Sequence, residues 1–314
     1  IAALRNMVLP TRELAIQIQE ELRDLCAYKE GVRTVCLYGG APIDKQITAL
    51  KKCPQIVVAT PGRLMDHMKR RTVRLDKVLT VMLDMGFVRD VTHILDSIKG
   101  RRNLGLFSAT ISREVLDISW VYQRDPIEIT VQADENNRPD IQQYRIDLDD
   151  RGQKLDVMVA LLEHGEYERA IAFCNTKNMT DRLSGLLKMR GVSAEAIHGD
   201  IQQRIREKTL TDFREGRLRV LVATDVAARG LDIDDVDVVF NYDVPDEIEY
   251  YIHRIGRTGR AKRHGVAYSL VANITEGMRM EDIAKNTKSD VYLLKYDRTG
   301  TLLPAGDNVP EPRK

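Results

Sequence analysis

An α/β architecture of two domains in tandem, each a mostly parallel sheet flanked by helices, is what this chain predicts. Three observations predict it. Short apolar runs alternate with amphipathic stretches along the whole length, the alternation appears in both halves, and a polar stretch without period separates them. The 314 residues, 43% hydrophobic and 30% charged, are enough for two such units, each with its own core.

Taken in order, a short apolar run leads to Pro10 and Thr11, and Thr11 is placed to cap a helix whose stripe is Ala15, Ile18, Leu22 and Leu25. Residues 32–38 and 55–59 read as strands, and Leu64, Met65 and Met68 mark the helix after the second. Residues 103–107 read as a buried strand, as do 169–174, 219–223 and 236–242. A helix over 181–189 carries Leu183, Leu186 and Leu187, and 278–291 reads as the final helix. The polar stretch 132–140, with its proline, is a linker. We therefore place a first domain over 1–131, a linker over 132–140, a second domain over 141–291 and a flexible extension over 292–314. Lys295 and Arg298 could touch a polyanion there, or the extension is simply solvated.

Composition narrows the partners. Net charge is +1, so any affinity for nucleic acid must come from local clusters rather than a bulk field. Cys26, Cys36, Cys53 and Cys174 show neither paired metal spacing nor disulfide density, which fits reduced thiols in the cytoplasm. No apolar stretch approaches the roughly 20 residues of a membrane span. The opening Ile1-Ala2-Ala3-Leu4 is no signal peptide, and without an initiator Met the start of the protein is expected upstream.

The most informative segment is His253-Arg254-Ile255-Gly256-Arg257-Thr258-Gly259-Arg260. Arg257 and Arg260 lie one turn apart, with glycines that let backbone approach a ligand, a pattern suited to polyphosphate. A basic helix end facing solvent would not need Gly256 and Gly259. Ligands of parallel α/β sheets bind beyond the carboxyl ends of the strands, and other unusual segments fall there. Pro10-Thr11-Arg12 opens a helix, Gly39-Gly40 ends a strand, and Thr60-Pro61-Gly62-Arg63 ends the next at a helix start. Each alone is an ordinary turn or cap, but together they line one sheet edge with phosphate-friendly termini. Ser108-Ala109-Thr110 closes another strand with small hydroxyl residues. In the second half, Gln203 and Arg206 share a helix face that meets phosphate, a facing domain or only solvent. Thr224 to Asp232 forms a small-residue loop in which Asp232 can accept from a ribose hydroxyl.

Together these segments resemble the DEAD-box RNA helicases, two-domain ATPases of helicase superfamily 2. In order, residues 10–15 look like motif Ia, Gly39-Gly40 the GG motif, 60–63 motif Ib and 108–110 motif III. Phe173, Asn175 and Thr176 sit where motif IV lies, Gln203 and Arg206 match the QxxR element, 224–232 match motifs Va and V, and 253–260 match motif VI. His253 at the start of that motif, where DEAH-type and RecQ-type relatives usually carry Gln, favours DEAD-box among its cousins. The likeness covers about residues 7–291 and implies two RecA-like domains that close around ATP and single-stranded RNA.

The resemblance also implies roles. Arg257 and Arg260 would reach the ATP phosphates, Arg260 as the finger, with Asp232 and Gly230 beside the nucleotide and His253 coupled to Ser108 and Thr110. Pro10, Thr11, Arg12, Gly39, Gly40, Thr60, Pro61, Gly62 and Arg63 would hold the RNA sugar-phosphate path in the first domain. Asn175, Thr176, Gln203, Arg206, Thr224 and Gly230 would do so in the second. The cofactors implied are ATP and Mg²⁺. The partners are single-stranded RNA, short RNA duplexes and protein regulators, for a monomer that uses no membrane.

Two departures stand against a complete site. No Gly-rich loop ending in Gly-Lys-Thr or Gly-Lys-Ser is present, nor the upstream glutamine motif, and both are expected before Ile1. Within the chain, Val81 runs straight into Met82 where the family has Asp-Glu-Ala-Asp. No carboxylate of that box remains to hold Mg²⁺ or orient water. A loss inside a central strand should cost packing, so these residues are expected to be the retained parts of a longer active enzyme. Lys262, where the family often has Gly, adds charge beside Arg263 and His264. Three functions stay open: an ATP-dependent RNA helicase or ribonucleoprotein remodeller, a non-hydrolysing RNA clamp or scaffold, and a DNA-acting superfamily 2 motor.

Overall fold

The computed structural model describes residues 4–84, 88–108, 113–130, 140–228, 231, 233, 236–259, 264–287, 289–296, 302–305, 309 and 310. The chain forms two compact units that divide near residue 130.

Unit 1 runs β1 (Leu4–Val8), α1 (Arg12–Cys26), β2 (Thr34–Leu37), α2 (Ile43–Lys51), β3 (Ile56–Ala59), α3 (Pro61–Lys69), β4 (Val78–Asp84), α4 (Val88–Ser97), β5 (Asn103–Phe107) and α5 (Arg113–Tyr122). Its strands are parallel in the order β2-β3-β1-β4-β5. Successive strands joined by helices cannot pair as hairpins, so parallel pairing follows from the alternation. The apolar tetrad of β3 is buried at every position, as its place between two strands and two helix layers requires. On α1, Ala15 is buried and Leu14, Ile18, Leu22 and Cys26 pack beside it, whereas Leu25, expected in that stripe, is 69% exposed. Helical period does not account for this, since seven residues bring Leu25 back to within about 20° of Ile18; it lies in the last turn of α1.

β5 also departs from expectation. Among the described residues it pairs with β4 alone, and Asn103 and Phe107 are exposed rather than buried. An apolar run identifies a strand but not whether it has one neighbour or two. β4 runs unbroken across the Val81–Met82 junction, pairing Val81 and Met82 with Leu104 and Gly105 on one side and with Asn6 and Met7 on the other. Val81 and Leu83 are fully buried. Met82-Leu83 continues the apolar run of the strand across this junction.

Unit 2 runs β6 (Ile141–Asp147), α6 (Gln153–His164), β7 (Ala170–Phe173), α7 (Lys177–Met189), β8 (Ala194–Ile197), α8 (Gln203–Arg214), β9 (Val220–Ala223), α9 (Asp225–Ala228), β10 (Val238–Asn241), α10 (Ile248–Ile255), β11 (Gly265–Val271), α11 (Ile274–Thr287), β12 (Val291–Tyr296) and β13 (Leu302–Pro304). The sheet order is β13-β12-β6-β11-β10-β7-β9-β8. β7, β9, β10 and β11 are buried throughout and form the centre. Tyr144, Tyr268 and Phe240 stack across three neighbouring strands at centroid distances of 5.4 and 5.7 Å.

The extension expected to be flexible over 292–314 is corrected here. β12 pairs in parallel with β6, β13 pairs antiparallel with β12, Leu294 is buried, and Tyr144 Oη donates to Pro310 O at 2.8 Å. The Gly, Pro and Asp of this stretch mask two short strands, whose stability comes from a partner far away in sequence.

Candidate nucleic-acid and nucleotide site

In unit 1 the neighbouring strands β2, β3 and β1 deliver their carboxyl ends to one edge, and the candidate residues follow them directly. Thr11 is the N-cap of α1, in extended conformation, its hydroxyl accepting from Leu14 N at 3.3 Å. Arg12 is the first helical residue, and its guanidinium lies against the turn after β2. A Cβ on Gly39 would sit 3.5 Å from Arg12 Nη2, and one on Gly40 only 2.7 Å from Nη1. Gly40 also has φ +91°, so both its backbone and the cation beside it favour glycine. Pro10 is half-buried between β1 and this cap.

Thr60 caps α3 without a side-chain bond, Pro61 occupies the first turn, and Gly62 faces open space. Among the described residues, nothing lies within 4 Å of where a Cβ on Gly62 would sit. Arg63 Nη1 donates to Ala41 O at 3.0 Å and to Gln46 Oε1 at 3.1 Å, which ties α3 to the same turn that Arg12 touches. Two guanidiniums thus approach one glycine turn at the mouth of two helix N-termini, a set of donors suited to phosphate oxygens. Ser108 follows β5 on the same sheet edge, two strands beyond β1, and is exposed.

Unit 2 repeats the capping device. Thr176, after β7, caps α7 in extended conformation and accepts from Met179 N at 3.2 Å. Asn175 is held on three sides: its N–H donates to Asp243 Oδ2 at 3.0 Å, its Nδ2 to Val244 O at 2.9 Å, and its Oδ1 accepts from Arg254 Nη2 at 2.8 Å. Gln203 opens α8 and bonds Glu207 Oε1 at 2.9 Å. Arg206 is buried, its Nη2 donating to Ala227 O at 2.7 Å, so it fastens α8 to α9. Thr224, between β9 and α9, is also buried. His253 lies on α10 and is half-buried. Arg257 follows the helix, its carbonyl accepting from Val236 N at 3.3 Å, and Thr258 Oγ1 donates to Val236 O. Thr110, Gly230, Asp232 and Arg260 lie outside the described residues.

Arg254 had no role in the sequence reading. It is 1% exposed, grips Asp225 with two bonds of 2.6 and 2.7 Å, donates to Asp243 O at 2.6 Å, and stacks over the Phe173 ring. One guanidinium therefore joins β7, α9, β10 and α10. The signal was the spacing of Tyr251, Arg254 and Ile255, an inward helix stripe with a cation in it.

Titration marks the same contrast. Burial, then the nearby positive charge of Arg63, lowers the pKa of His67 on α3 below its ordinary value. Burial pushes the Cys36 thiol up to about 12 and that of Cys174 well above its usual range, so both are protonated and unreactive.

Two family models match this chain: DEAD/DEAH box helicase over residues 6–118 and Helicase conserved C-terminal domain over residues 153–262. A DEAD box protein from the hyperthermophile Methanococcus jannaschii is 37% identical and superposes with a TM-score of 0.50, over 94% of this chain and 81% of that one. The chain belongs to the DEAD-box helicase family. The DEAD-box ATP-dependent RNA helicase CshA of Geobacillus kaustophilus is 44% identical over 296 residues, which are 92% of this chain and 63% of that protein. The chain thus spans less than two thirds of that curated relative. Saccharomyces cerevisiae Dbp5 bound to RNA and ADP BeF3 is 29% identical with a TM-score of 0.81, over 94% of this chain and 78% of that one. Membership shows the fold to be two RecA-like domains. No helix among the described residues is long and apolar enough to cross a membrane.

The family's Mg²⁺ was tested against the residues present. Among the described residues no three His, Cys, Asp or Glu side chains are grouped to hold a metal ion, and β4 carries Val81-Met82 where the acidic box belongs. The donor set among the described residues does not fit Mg²⁺.

Proposed function

We propose that the protein to which these residues belong is an ATP-dependent RNA helicase that unwinds short RNA duplexes or remodels ribonucleoproteins. One observation carries the RNA half of this reading: Arg12 and Arg63 converge on the Gly39–Gly40 turn beside the N-termini of α1 and α3. These donors reach a sugar-phosphate path rather than base edges, which accounts for binding with little sequence preference. Thr11, Thr60, Gly62 and, in unit 2, Asn175, Thr176 and Thr224 extend that path in our reading, with Gln203, Arg206 and Gly230 in support. Arg257 and Arg260 serve the nucleotide, Arg260 as the phosphate finger, with Asp232 on the ribose and Ser108, Thr110 and His253 linking RNA to turnover. On the same reading the protein is cytoplasmic and monomeric, with protein regulators beside RNA. Its domains are 1–131 and, with β12 and β13 included, the chain from 141 onward.

RNA-stimulated ATP hydrolysis by the full-length protein is the test. Stimulation by single-stranded RNA and not by duplex DNA is expected, and equal stimulation by DNA would assign a DNA motor instead. Arg260→Ala should abolish most turnover while sparing RNA binding, and unchanged turnover would refute the finger assignment. The unbroken β4 favours a second reading, an RNA clamp without hydrolysis. RNA binding with no ATP turnover in a protein that carries Val81 bonded to Met82 would establish it.

A further inference from the structure

Unit 1 holds a buried polar pair that the site above does not use. Gln46 on α2 is 6% exposed and His67 on α3 is fully buried. Gln46 Nε2 donates to Tyr38 O at 3.0 Å, at the end of β2, while its Oε1 lies 3.0 Å from His67 Nε2 and 3.1 Å from Arg63 Nη1. His67 Nδ1 lies 2.8 Å from Thr72 Oγ1. The carboxamide oxygen can only accept, so the imidazole carries its proton on Nε2, and Nδ1 shares the one Thr72 hydroxyl proton with His67 O, 3.1 Å from Thr72 Oγ1. Arg63 Nη1 closes the circuit on Ala41 O. A single carboxamide therefore joins the end of β2, the turn with Gly39 and Gly40, and the first two turns of α3.

That placement has a chemical logic. Glutamine supplies one donor and one acceptor, and all three partners here need that combination. Glutamate would remove the donor to Tyr38 O, and an apolar residue would also take the acceptor from His67 Nε2 and one of the two acceptors from Arg63 Nη1. On α2, Gln46 is buried one turn before Ala49 and Leu50, which pack against the core. A polar residue at such a position is retained for what it orients.

We propose that Gln46 and His67 are positioning residues for an RNA backbone: without touching RNA, they fix Arg63 against the Gly39–Gly40 turn so that a phosphate meets donors at a set spacing. This rests on reading the unit 1 edge as an RNA surface. The charged groups around His67 are Arg63, Asp66 and Arg70, all on its own helix.

The test uses full-length protein and a fluorescein-labelled single-stranded uridine oligonucleotide, with affinity measured by anisotropy across a salt series. His67→Leu is expected to weaken binding about tenfold and to lower the slope of log affinity against log salt by about one phosphate contact. His67→Gln, whose amide reaches the Nε2 position, should restore both. A purely structural role would lower the melting temperature and leave the slope of the folded protein unchanged. Should His67→Leu fail to fold, Gln46→Met, similar in length but without the hydrogen bonds, carries the same expectation. Wild-type affinity and slope in a folded leucine or methionine variant would overturn the positioning role alone. Failure of the wild type to bind, with Arg12→Ala indistinguishable from it, would overturn the RNA reading and this inference with it.

Discussion

The two units use arginine in opposite ways. In unit 1, Arg12 and Arg63 sit half-buried at a glycine turn, beside helix ends open to a ligand. In unit 2, Arg254 is buried among protein acceptors on Asp225, Asn175 and Asp243, and Arg206 is buried with its Nη2 on Ala227 O. A guanidinium whose fork is filled by Asp225, Asn175 and Asp243 builds a site rather than binding in it. On the proposed reading, a family motif mixes residues that would touch ligand with residues that hold the frame, and burial and partners separate them.

The comparison can be broken at Arg254 first. Arg254→Ala leaves the half-buried Asp225 carboxylate without its partner and empties a fully buried site, and should destabilise the protein by about 3 kcal/mol, read by urea denaturation. A loss below about 1 kcal/mol would show that the hub is not structural. Arg12→Ala should do the reverse. Stability should change little, while RNA affinity falls roughly tenfold with a shallower salt slope. Equal losses of stability at the two arginines would erase the distinction.

A smaller effect is expected at Gly40. Gly40→Ala should cost about 1–2 kcal/mol from its positive φ, and it should also displace the Arg12 guanidinium, seen as weaker RNA binding. The smallest effect is on pH. The pKa of His67 is lowered in the fold, so the unfolded chain binds its proton more readily. Its contribution is complete above the unfolded value of about 6.5 and declines as pH falls below it. Thermal melts between neutral and mildly acid pH should show this slope in the wild type and its absence in His67→Gln.

Much of the fold was legible. The apolar runs located β2, β3, β5, β7, β9 and β10 to within a residue or two at each end, because a short apolar run marks a strand whether it is central, as β7, β9 and β10 are, or at an edge, as β2 and β5 are. The Thr11 cap was legible too, since a hydroxyl before a helical stripe satisfies free amides locally. β12 and β13 were not, because turn residues surround them, β12 pairs with a distant β6, and β13 pairs in turn with β12. The edge position of β5 was hidden for the same reason. At the site, the motifs named residues but did not rank them. Arg254, Gln46 and His67 act through partners up to 79 residues away, and no spacing rule reaches that far.

The sequence by itself determined the alternation of strand and helix, the family and the absence of the acidic box between Val81 and Met82, all of which depend on local order of residues. Tertiary structure alone decided which strand lies at an edge, that β4 closes over that junction, and which arginines are held inward. Those outcomes depend on pairing and burial between distant segments, and hydrogen-bond saturation is a property of the assembled core rather than of any stretch of chain.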